Sequence, residues 1–330
     1  MRPESQTRIQ KNMKKAWTTE NIPSQAGRRV LITGANSGIG YLTALKLALK
    51  GATVLLACRD QKRGETAADR LRTEVPGASV ELAILDLASL ASVREVAAEE
   101  VARGLPLDLL INNAGVMAPP QRQQTRDGFE LQFGTNVLGH FALTGLLLPA
   151  LERSAAAATI ETRRPRVVTI ASIAHKRGRI NFEDLQSIRS YSPMAAYQQS
   201  KLANLMFALE MDRRLEARSS ALMSLAVHPG VAETKLFKVG SGEGLAHVAE
   251  QVIAHTIGAL LNSDAEGALP TLFAATAPEA VGGGYYGPQG FQEMRGGDVG
   301  DAKVSPQARD AAAAARLWGI CEELTGVPFL

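Results

Sequence analysis

A regular alternation of short apolar runs with longer helical patterns constrains the fold of this chain more than any other feature. Seven such runs begin at residues 29 (RVLIT), 53 (TVLLA), 80 (VELAIL), 107 (LDLLINN), 166 (RVVTIAS), 221 (ALMSLAV) and 283 (GGYYG). Strands that are apolar on both faces and are separated by helices are typical of a parallel sheet covered on both sides. The pattern therefore predicts one doubly wound α/β domain over residues 29–330, with a seven-stranded parallel sheet flanked by helices.

Composition and charge exclude several classes of protein. The 330 residues carry a formal charge of only +3, which gives no basis for nucleic-acid binding. Cys58 and Cys321 are too few for a disulfide framework, so a cytoplasmic location is expected. The sequence has no Cys/His cluster with the spacing of metal ligands, so no metal is expected.

Residues 1–28 are expected to form a basic, solvated arm, because the positive charges of MRPESQTRIQKNMKKAW stand outside the strand pattern. The arm lacks the apolar core of a signal peptide. Apolar patches such as FALTGLLLPAL, from Phe141, are shorter than a membrane-spanning helix requires. The sequence thus predicts no membrane span.

The loop TGANSGIG joins the first strand to the first helix. Its three glycines permit a tight turn and close approach of a ligand to the backbone. The helix that follows presents free N–H groups and the positive end of its dipole to a diphosphate. Glycine-rich turns also occur where no ligand binds, but the position after the first strand favours a nucleotide site. The predicted phosphate-binding residues are Gly34, Asn36, Ser37, Gly38, Ile39 and Gly40.

The end of the second strand, LLACRD, bears on which nucleotide binds. An acidic residue at this point binds the ribose 2′-hydroxyl of NAD, whereas a guanidinium pairs with a 2′-phosphate. Here Arg59 follows Cys58 directly, so NADP(H) is favoured over NAD(H). The alternative is that Arg59 is only a solvated loop residue and Asp60 a helix cap. Lys62 and Arg63 add positive charge nearby, but the sequence assigns them no role.

Further motifs follow in a fixed order: LDL at 85–87, NNAG at 112–115, GTNVLGH at 134–140, Ser172, YQQSK at 197–201 and HPGVAET at 228–234. Together with the glycine loop, they make the chain resemble the short-chain dehydrogenase/reductase family from Arg29 to about Gly290. The stretches NNAGVMAPP, SIAHKRGRINFEDLQ and YYGPQGF are similar to its retinol-dehydrogenase-like and protochlorophyllide-reductase-like branch. The resemblance implies a Rossmann-type fold and a nicotinamide dinucleotide.

The resemblance also implies cofactor contacts beyond the glycine loop. Asp86 is expected at the adenine, the NNAG residues at the ribose, and residues of HPGVAET at the nicotinamide end. Taken by themselves, Asp86 could equally be a helix cap, NNAG a strand-ending turn, and Pro229 and Gly230 ordinary loop residues. The implied set is Asp86, Leu87, Asn113, Ala114, Gly115, Pro229, Gly230 and Thr234.

Tyr197 and Lys201 lie four residues apart and therefore share one face of a helix. A free phenol has a pKa near ~10, and a neighbouring ammonium lowers that pKa. Tyr197 is the candidate general acid and base, with chance spacing as the alternative. In the family the lysine also bonds the nicotinamide ribose, so both residues are expected at the cofactor.

Ser172 ends the fifth strand and is expected to polarise a substrate carbonyl, although a polar strand-end residue needs no such role. Asn136 resembles the family residue that holds a water linking the lysine to solvent. With Tyr197 and Lys201 these residues form the predicted catalytic set. Together they predict an NADP(H)-dependent oxidoreductase that interconverts an alcohol and an aldehyde or ketone.

Residues 235–262 are expected to close over the substrate, and their apolar positions favour a hydrophobic one, although a plain surface helix fits the pattern equally. A further helix is expected at about 305–325. The family commonly assembles through the helices that carry GTNVLGH and YQQSK. A homodimer or tetramer is therefore compatible with the resemblance, and so is a monomer. Two other functions are also open: reduction of a carbon–carbon double bond, and nucleotide sensing or scaffolding without catalysis.

Overall fold

The computed structural model describes residues 16–158, 163–231 and 263–330. The strands are β1 (Arg29–Thr33), β2 (Thr53–Cys58), β3 (Val80–Ile84), β4 (Leu109–Asn112), β5 (Arg166–Ile170), β6 (Met223–Val227), β7 (Tyr285–Pro288) and β8 (Val299–Asp301). The helices are α1 (Gly38–Leu49), α2 (Gln61–Glu74), α3 (Leu90–Ala102), α4 (Leu131–Ala157), α5 (Pro193–Ala217), α6 (Asp264–Thr276) and α7 (Ala311–Thr325). Within α4, residues Gly134–Leu138 form a π-helical segment.

The described strands form one sheet in the order β3-β2-β1-β4-β5-β6-β7-β8. β1 to β7 pair in parallel, whereas β8 pairs antiparallel with β7. The predicted doubly wound α/β fold is confirmed, but the sheet has eight strands rather than the seven expected. The sequence pattern missed β8 because its three residues, VGD, contain no apolar run.

Helices cover both faces of this sheet. One core lies between the sheet and α1, α2 and α6, and the other lies between the sheet and α3, α4, α5 and α7. Because β1 lies between β2 and β4, the chain leaves the ends of β1 and β4 in different directions and opens a crevice there. TGANSGIG and NNAG both lie at this crevice.

The later residues of the predicted N-terminal arm pack on the fold, unlike the solvated arm expected from their charge. Trp17 is 8% exposed, and its ring lies edge-on to Phe273 of α6 at 5.4 Å. Ile22 is also buried, and the amide of Gln25 donates to the carbonyl of Lys50 at 2.8 Å. Apolar burial outweighs the polar neighbours of Trp17. Residues 1–15 lie outside the described part of the chain.

α7 occupies the region where the sequence predicted a further helix, after a 3₁₀ turn at Pro306–Arg309. Its Trp318 packs on α4 and α5, with ring centroids 5.0 Å from Phe141 and 5.7 Å from Phe207. Phe329 closes the same aromatic cluster at 4.7 Å from Trp318. Trp318 of α7 thus packs against the rings of both Phe141 and Phe207.

Among the described residues, α4 is the one helix long and apolar enough to cross a membrane. Its most apolar window is 83% buried inside the fold, which is typical of a core helix. The apolar patch that begins at Phe141 is shorter than this helix, which has 27 residues. α4 is therefore long enough to span a membrane, but it is buried inside the fold like a core helix.

Candidate active site

The glycine loop is shaped by contacts that leave no room for a side chain. Gly34 has a φ of 67°, and a Cβ there would lie 3.0 Å from the Cα of Ala114. A Cβ at Gly40 would lie 2.6 Å from the carbonyl oxygen of Gly34. Ser37 precedes α1 in an extended conformation, and its hydroxyl makes no capping bond among the described residues, so the first-turn amides are left for another acceptor. This cradle fits a diphosphate.

Thr33 ties the end of β4 to this loop. Its hydroxyl oxygen accepts from the amides of Asn113 and Ala114, each at 2.9 Å, and the Asn113 side-chain amide donates to the Thr33 carbonyl at 2.7 Å. The same hydroxyl lies 2.9 Å from Nε2 of His140, whose Nδ1 donates to the carbonyl of Asn136 at 3.0 Å. Burial lowers the pKa of His140 to about 4, so the ring is neutral. The loop, β4 and α4 thus form one connected unit.

Two arginines lie near the end of β2. Arg59 is exposed directly after the strand, as expected. Asp60 caps α2 by accepting from the amide of Arg63 at 2.8 Å, which matches the alternative considered for it. With its carboxamide oxygen turned towards α2, Asn36 accepts from the Arg63 guanidinium at 3.2 and 3.3 Å. The sequence assigned no role to Arg63, although its place in the first turn of α2 was the available signal.

Asp86 and Leu87 follow β3. Oδ1 of Asp86 accepts from the amide of Ala88 at 3.0 Å, and its backbone amide donates to the hydroxyl of Ser92 at 3.1 Å. Leu87 is buried, and its carbonyl oxygen would meet a Cβ at Gly139. Asp86 therefore shapes the turn before α3, and its role at the adenine stays a prediction.

Asn136 sits in the π-helical segment of α4, a distortion that is frequent at functional sites. Its Oδ1 accepts from the amide of Val116 at 2.8 Å, and its Nδ2 donates to the carbonyl of Val116 and the hydroxyl of Ser200, each at 3.0 Å. A Cβ at Gly115 would lie 3.2 Å from Oδ1 of Asn136 and 3.6 Å from Nζ of Lys201. These three predicted residues therefore meet, together with Ser200, which the sequence did not single out.

Tyr197, Ser172 and Lys201 converge at the carboxyl end of β5. The side chains of Tyr197 and Ser172 lie close together, and Ser172 favours the ionised form of the phenol. Nζ of Lys201 lies 5.9 Å from the centroid of the Tyr197 ring and donates to the carbonyl of Ile170 at 2.9 Å. The spacing YQQSK thus brings both side chains to the same place.

The charges in this group differ from the sequence-based expectation. Burial raises the pKa of Tyr197, and the nearby Ser172 side chain acts in the opposite direction but less strongly. Burial also lowers the pKa of Lys201 to about 8. At Tyr197, removal from water thus outweighs the cation that was expected to acidify the phenol.

Gly230 lies after β6 with a φ of 74°, and its amide donates to Nδ1 of His228 at 3.2 Å. Pro229 lies between them in the same turn. Thr234 and the region 235–262 lie outside the described residues, so their predicted roles stay predictions. No cluster of three potential metal-binding side chains occurs within 16–158, 163–231 and 263–330.

Known proteins are similar to this chain in sequence. A family model of the short chain dehydrogenases matches residues 28–242. Polyprenol dehydrogenase from Mus musculus is 42% identical over 306 residues, which cover 92% of this chain and 86% of its own. Retinol dehydrogenase 13 from Homo sapiens is 40% identical over 311 residues, which cover 92% and 87%.

Solved structures agree with these relatives. A crystal structure of an uncharacterized protein from Mycobacterium paratuberculosis is 42% identical, with a TM-score of 0.75, and covers 96% of this chain and 99% of its own. A protein described as an NAD(P)-dependent gluconate 5-dehydrogenase from Beutenbergia cavernae, solved with bound NADP, is 26% identical with a TM-score of 0.59 over 79% and 95%. The chain belongs to the short-chain dehydrogenase/reductase family, in its retinol-dehydrogenase-like branch.

Proposed function

We propose that this oxidoreductase uses NADP(H) to interconvert a hydrophobic alcohol and its aldehyde or ketone, with Tyr197 as general acid and base. The observation that carries the proposal is the convergence of the Tyr197 phenol and the Ser172 hydroxyl beside Lys201 at the crevice. Two hydroxyls that meet there can both hydrogen-bond one substrate oxygen. The glycine loop opens onto the same edge of the sheet.

The protein's share of the chemistry is to hold the substrate oxygen and to move a proton. When bound, the nicotinamide supplies or accepts the hydride. Ser172 donates to the carbonyl oxygen and polarises it, and Tyr197 gives its proton to that oxygen in reduction. A raised pKa keeps Tyr197 protonated, which suits the role of the acid in reduction. Lys201 lies beside Tyr197 and can return a proton to it, and Asn136 lies close to Lys201.

The preference for NADP(H) rests on charge at the end of β2. Arg59 is exposed directly after the strand, and Arg63 already reaches Asn36 of the glycine loop. Two guanidinium groups near the end of β2 favour a nucleotide that carries a 2′-phosphate. They do not oppose the binding of a diphosphate at the glycine loop. Asp60, which follows Arg59 directly, is engaged in capping α2.

The nature of the substrate is inferred from relatives. Polyprenol and retinol, named in the two relatives above, are both hydrophobic alcohols. We extend that substrate class to this chain, with aldehydes and ketones as the oxidised partners. A cytoplasmic location belongs to the same proposal and is supported by Cys58 and Cys321, which are both free and buried.

Turnover tests the catalytic assignment. Hydrophobic aldehydes, ketones and conjugated enones are offered with NADPH, and loss of its absorbance is followed. We expect carbonyl reduction, and Tyr197→Phe should lower kcat about 10²–10⁴-fold while NADPH still binds. Tyr286→Phe is the matched control, because it removes a buried hydroxyl that accepts from the Val281 amide on the other face of the sheet. Unchanged turnover in Tyr197→Phe, or products reduced only at a carbon–carbon bond, would overturn the assignment.

Binding measurements test the cofactor. Arg59→Ala should raise the Kd of NADPH about tenfold, because a charge-assisted pair with the 2′-phosphate is lost, and should leave the Kd of NADH unchanged. Arg72→Ala removes an exposed arginine further along α2, which pairs with Asp69, and serves as the charge control. Equal effects on both nucleotides, or equal effects of the two variants, would contradict the preference.

A further inference from the structure

A buried polar cluster lies behind the active site, where the ends of β5 and β6 meet the segment around β7 and β8. Its members are His175 and Lys176 after β5, His228 after β6, Tyr285 on β7 and Glu293 between β7 and β8. His175, His228 and Tyr285 are at most 3% exposed. The Tyr285 ring lies between the imidazoles, 5.3 Å from His175 and 5.4 Å from His228. The catalytic set uses none of these residues.

His175 holds the turn that carries Ser172. Its Nδ1 donates to the carbonyl oxygen of Ser172 at 2.7 Å, and its Nε2 accepts from the amide of Ser305 at 3.4 Å. Burial lowers the pKa of His175, which keeps the ring neutral with its proton on Nδ1. The Ser172 backbone is therefore tied to the chain that follows β8.

His228 holds the loop that follows β6. Its Nδ1 accepts from the amide of Gly230, so its proton is on Nε2, which faces Oε2 of Glu293 at 3.7 Å. Burial lowers the pKa of His228 to about 3, so this ring too is neutral. The amide of Val231 donates to the carbonyl of Met294 at 2.8 Å. The loop after β6 thus meets the turn Phe291–Met294 at two points.

Glu293 joins the two loops. Its Oε2 accepts from Nζ of Lys176 at 2.7 Å, and its Oε1 accepts from the amide of Lys303 at 3.1 Å. Burial disfavours the carboxylate, but the bond and charge of Lys176 outweigh burial and lower the pKa of Glu293. The Glu293 side chain is 12% exposed and that of Lys176 is 32% exposed, so water screens the pair only in part.

The backbone around Glu293 is held in an unfavourable conformation. Gln292 and Glu293 have φ values of 50° and 61°, in the left-handed region that residues other than glycine rarely adopt. Such conformations persist where surrounding contacts hold them, and they gather at functional sites. Here they accompany a turn in which Phe291 is 73% exposed while the Glu293 side chain is nearly buried.

We propose that the carboxylate of Glu293 is a positioning group, which holds the Ser172 turn and the Pro229–Gly230 loop at a fixed separation. The catalytic consequence rests on the proposed function, in which these two segments meet the substrate oxygen and the nicotinamide end. Without the charge, Lys176 loses its ion-pair partner and Nε2 of His228 no longer faces a carboxylate, so the two segments move independently. The loss should appear in kcat rather than in KM, because alignment matters most as charge develops on the substrate oxygen.

Glu293→Gln keeps the shape of the side chain and removes its charge, and Lys176→Met breaks the same pair from the other side. Each should lower kcat about tenfold with little change in KM. Glu81→Gln is the control, because Glu81 also bonds two cations, Arg29 at 2.6 Å and Arg103 at 2.9 Å, at the opposite edge of the sheet. It should lower Tm and leave kcat unchanged. If Glu293→Gln only lowers Tm in the same way, the positioning role is refuted.

A double-variant cycle shows whether Glu293 acts through Ser172. In a Ser172→Ala background, Glu293→Gln should lower kcat by less than it does in the wild-type protein, since the hydroxyl on one of the two positioned segments is gone. A full tenfold loss in that background would refute the coupling.

Hydrogen exchange separates this proposal from the proposed function. The amides of Ala174, His175 and Gly230 are hydrogen-bonded within the two segments. Their exchange should accelerate in Glu293→Gln and stay unchanged in Glu81→Gln. If the wild-type protein turns over none of the substrates, the proposed function fails, and exchange by itself decides whether Glu293 links the segments. Unchanged exchange at all three amides refutes the link.

Discussion

The two sides of the crevice are built in different ways. On the β1 and β2 side, the surface is backbone, and Gly34 and Gly40 pack so closely that no side chain fits. On the β5 and β6 side, the surface is formed and supported by buried polar side chains, among them Lys201 at 5% exposed and, behind it, His228 at 0%. A backbone surface fails when atoms are added, whereas a side-chain surface fails when its support or its charge state changes. The two sides should therefore respond to different perturbations.

Support of the side-chain surface gives the largest expected effect. Trp318→Ala removes the ring that packs on Phe141 and Phe207, in the helices that carry Asn136 and Tyr197. We expect the free energy of unfolding to fall by about 3–5 kcal/mol, measured by urea denaturation. Trp17→Ala, on the other face of the sheet, should cost less because that ring has one aromatic neighbour among the described residues. Equal losses would remove this distinction between the two faces.

Addition of one methyl group tests the backbone surface. Gly40→Ala places a Cβ 2.5 Å from Nδ2 of Asn113 and 2.6 Å from the carbonyl of Gly34. It should cost about 1–3 kcal/mol of stability and weaken NADPH binding at least about tenfold, measured by calorimetry. Gly319→Ala in α7 meets nothing within 4 Å and should stabilise the fold by up to about 1 kcal/mol. Normal NADPH affinity in Gly40→Ala would show that the cradle is not the binding surface.

Protonation of Lys201 tests the charge state of the side-chain surface. With its pKa lowered by burial to about 8, kcat/KM for reduction should fall about tenfold per pH unit above that value. Between about 8 and 10.5 the unfolded chain still holds a proton that the folded chain has released, so this group makes unfolding less favourable as pH rises. The stability difference from Lys201→Met, measured across this window, checks the sign. An alkaline limb near the ordinary lysine value would contradict the burial argument.

Asp212 gives the smallest expected effect and tests whether such burial costs extend beyond the crevice. This α5 carboxylate accepts from the amide of Ser224 at 2.9 Å, and burial raises its pKa from 3.8 to about 6. Because the folded state binds this proton more tightly, protonation of Asp212 contributes to folding stability. That contribution is fully present below pH 3.8 and is lost as pH rises through 6. Asp212→Asn should therefore stabilise the fold by about 1 kcal/mol at neutral pH and by less at lower pH. A stability gain that does not shrink on acidification would exclude this cause.

Much of the fold and part of the candidate site could be predicted from the chain. Apolar runs located β1 to β7, because strands buried on both faces need continuous apolar side chains. The spacing of Tyr197 and Lys201 brought them together, since residues four apart on a helix always do so. Arg63, Ser200 and Glu293 were not found, because each acts through contacts with residues far from it in sequence.

The sequence by itself determined the order of strands and helices, the glycine turn and the family, because these depend on periodicity and on local backbone freedom. Only the tertiary structure decided the charge states and the support of the site. Burial is a property of the assembled fold, and it raises the pKa of Tyr197 and lowers that of Lys201, against the expectation from their spacing. The same assembly buries Trp17 of the basic arm and joins Glu293 to both loops of the crevice, through contacts that no local pattern encodes.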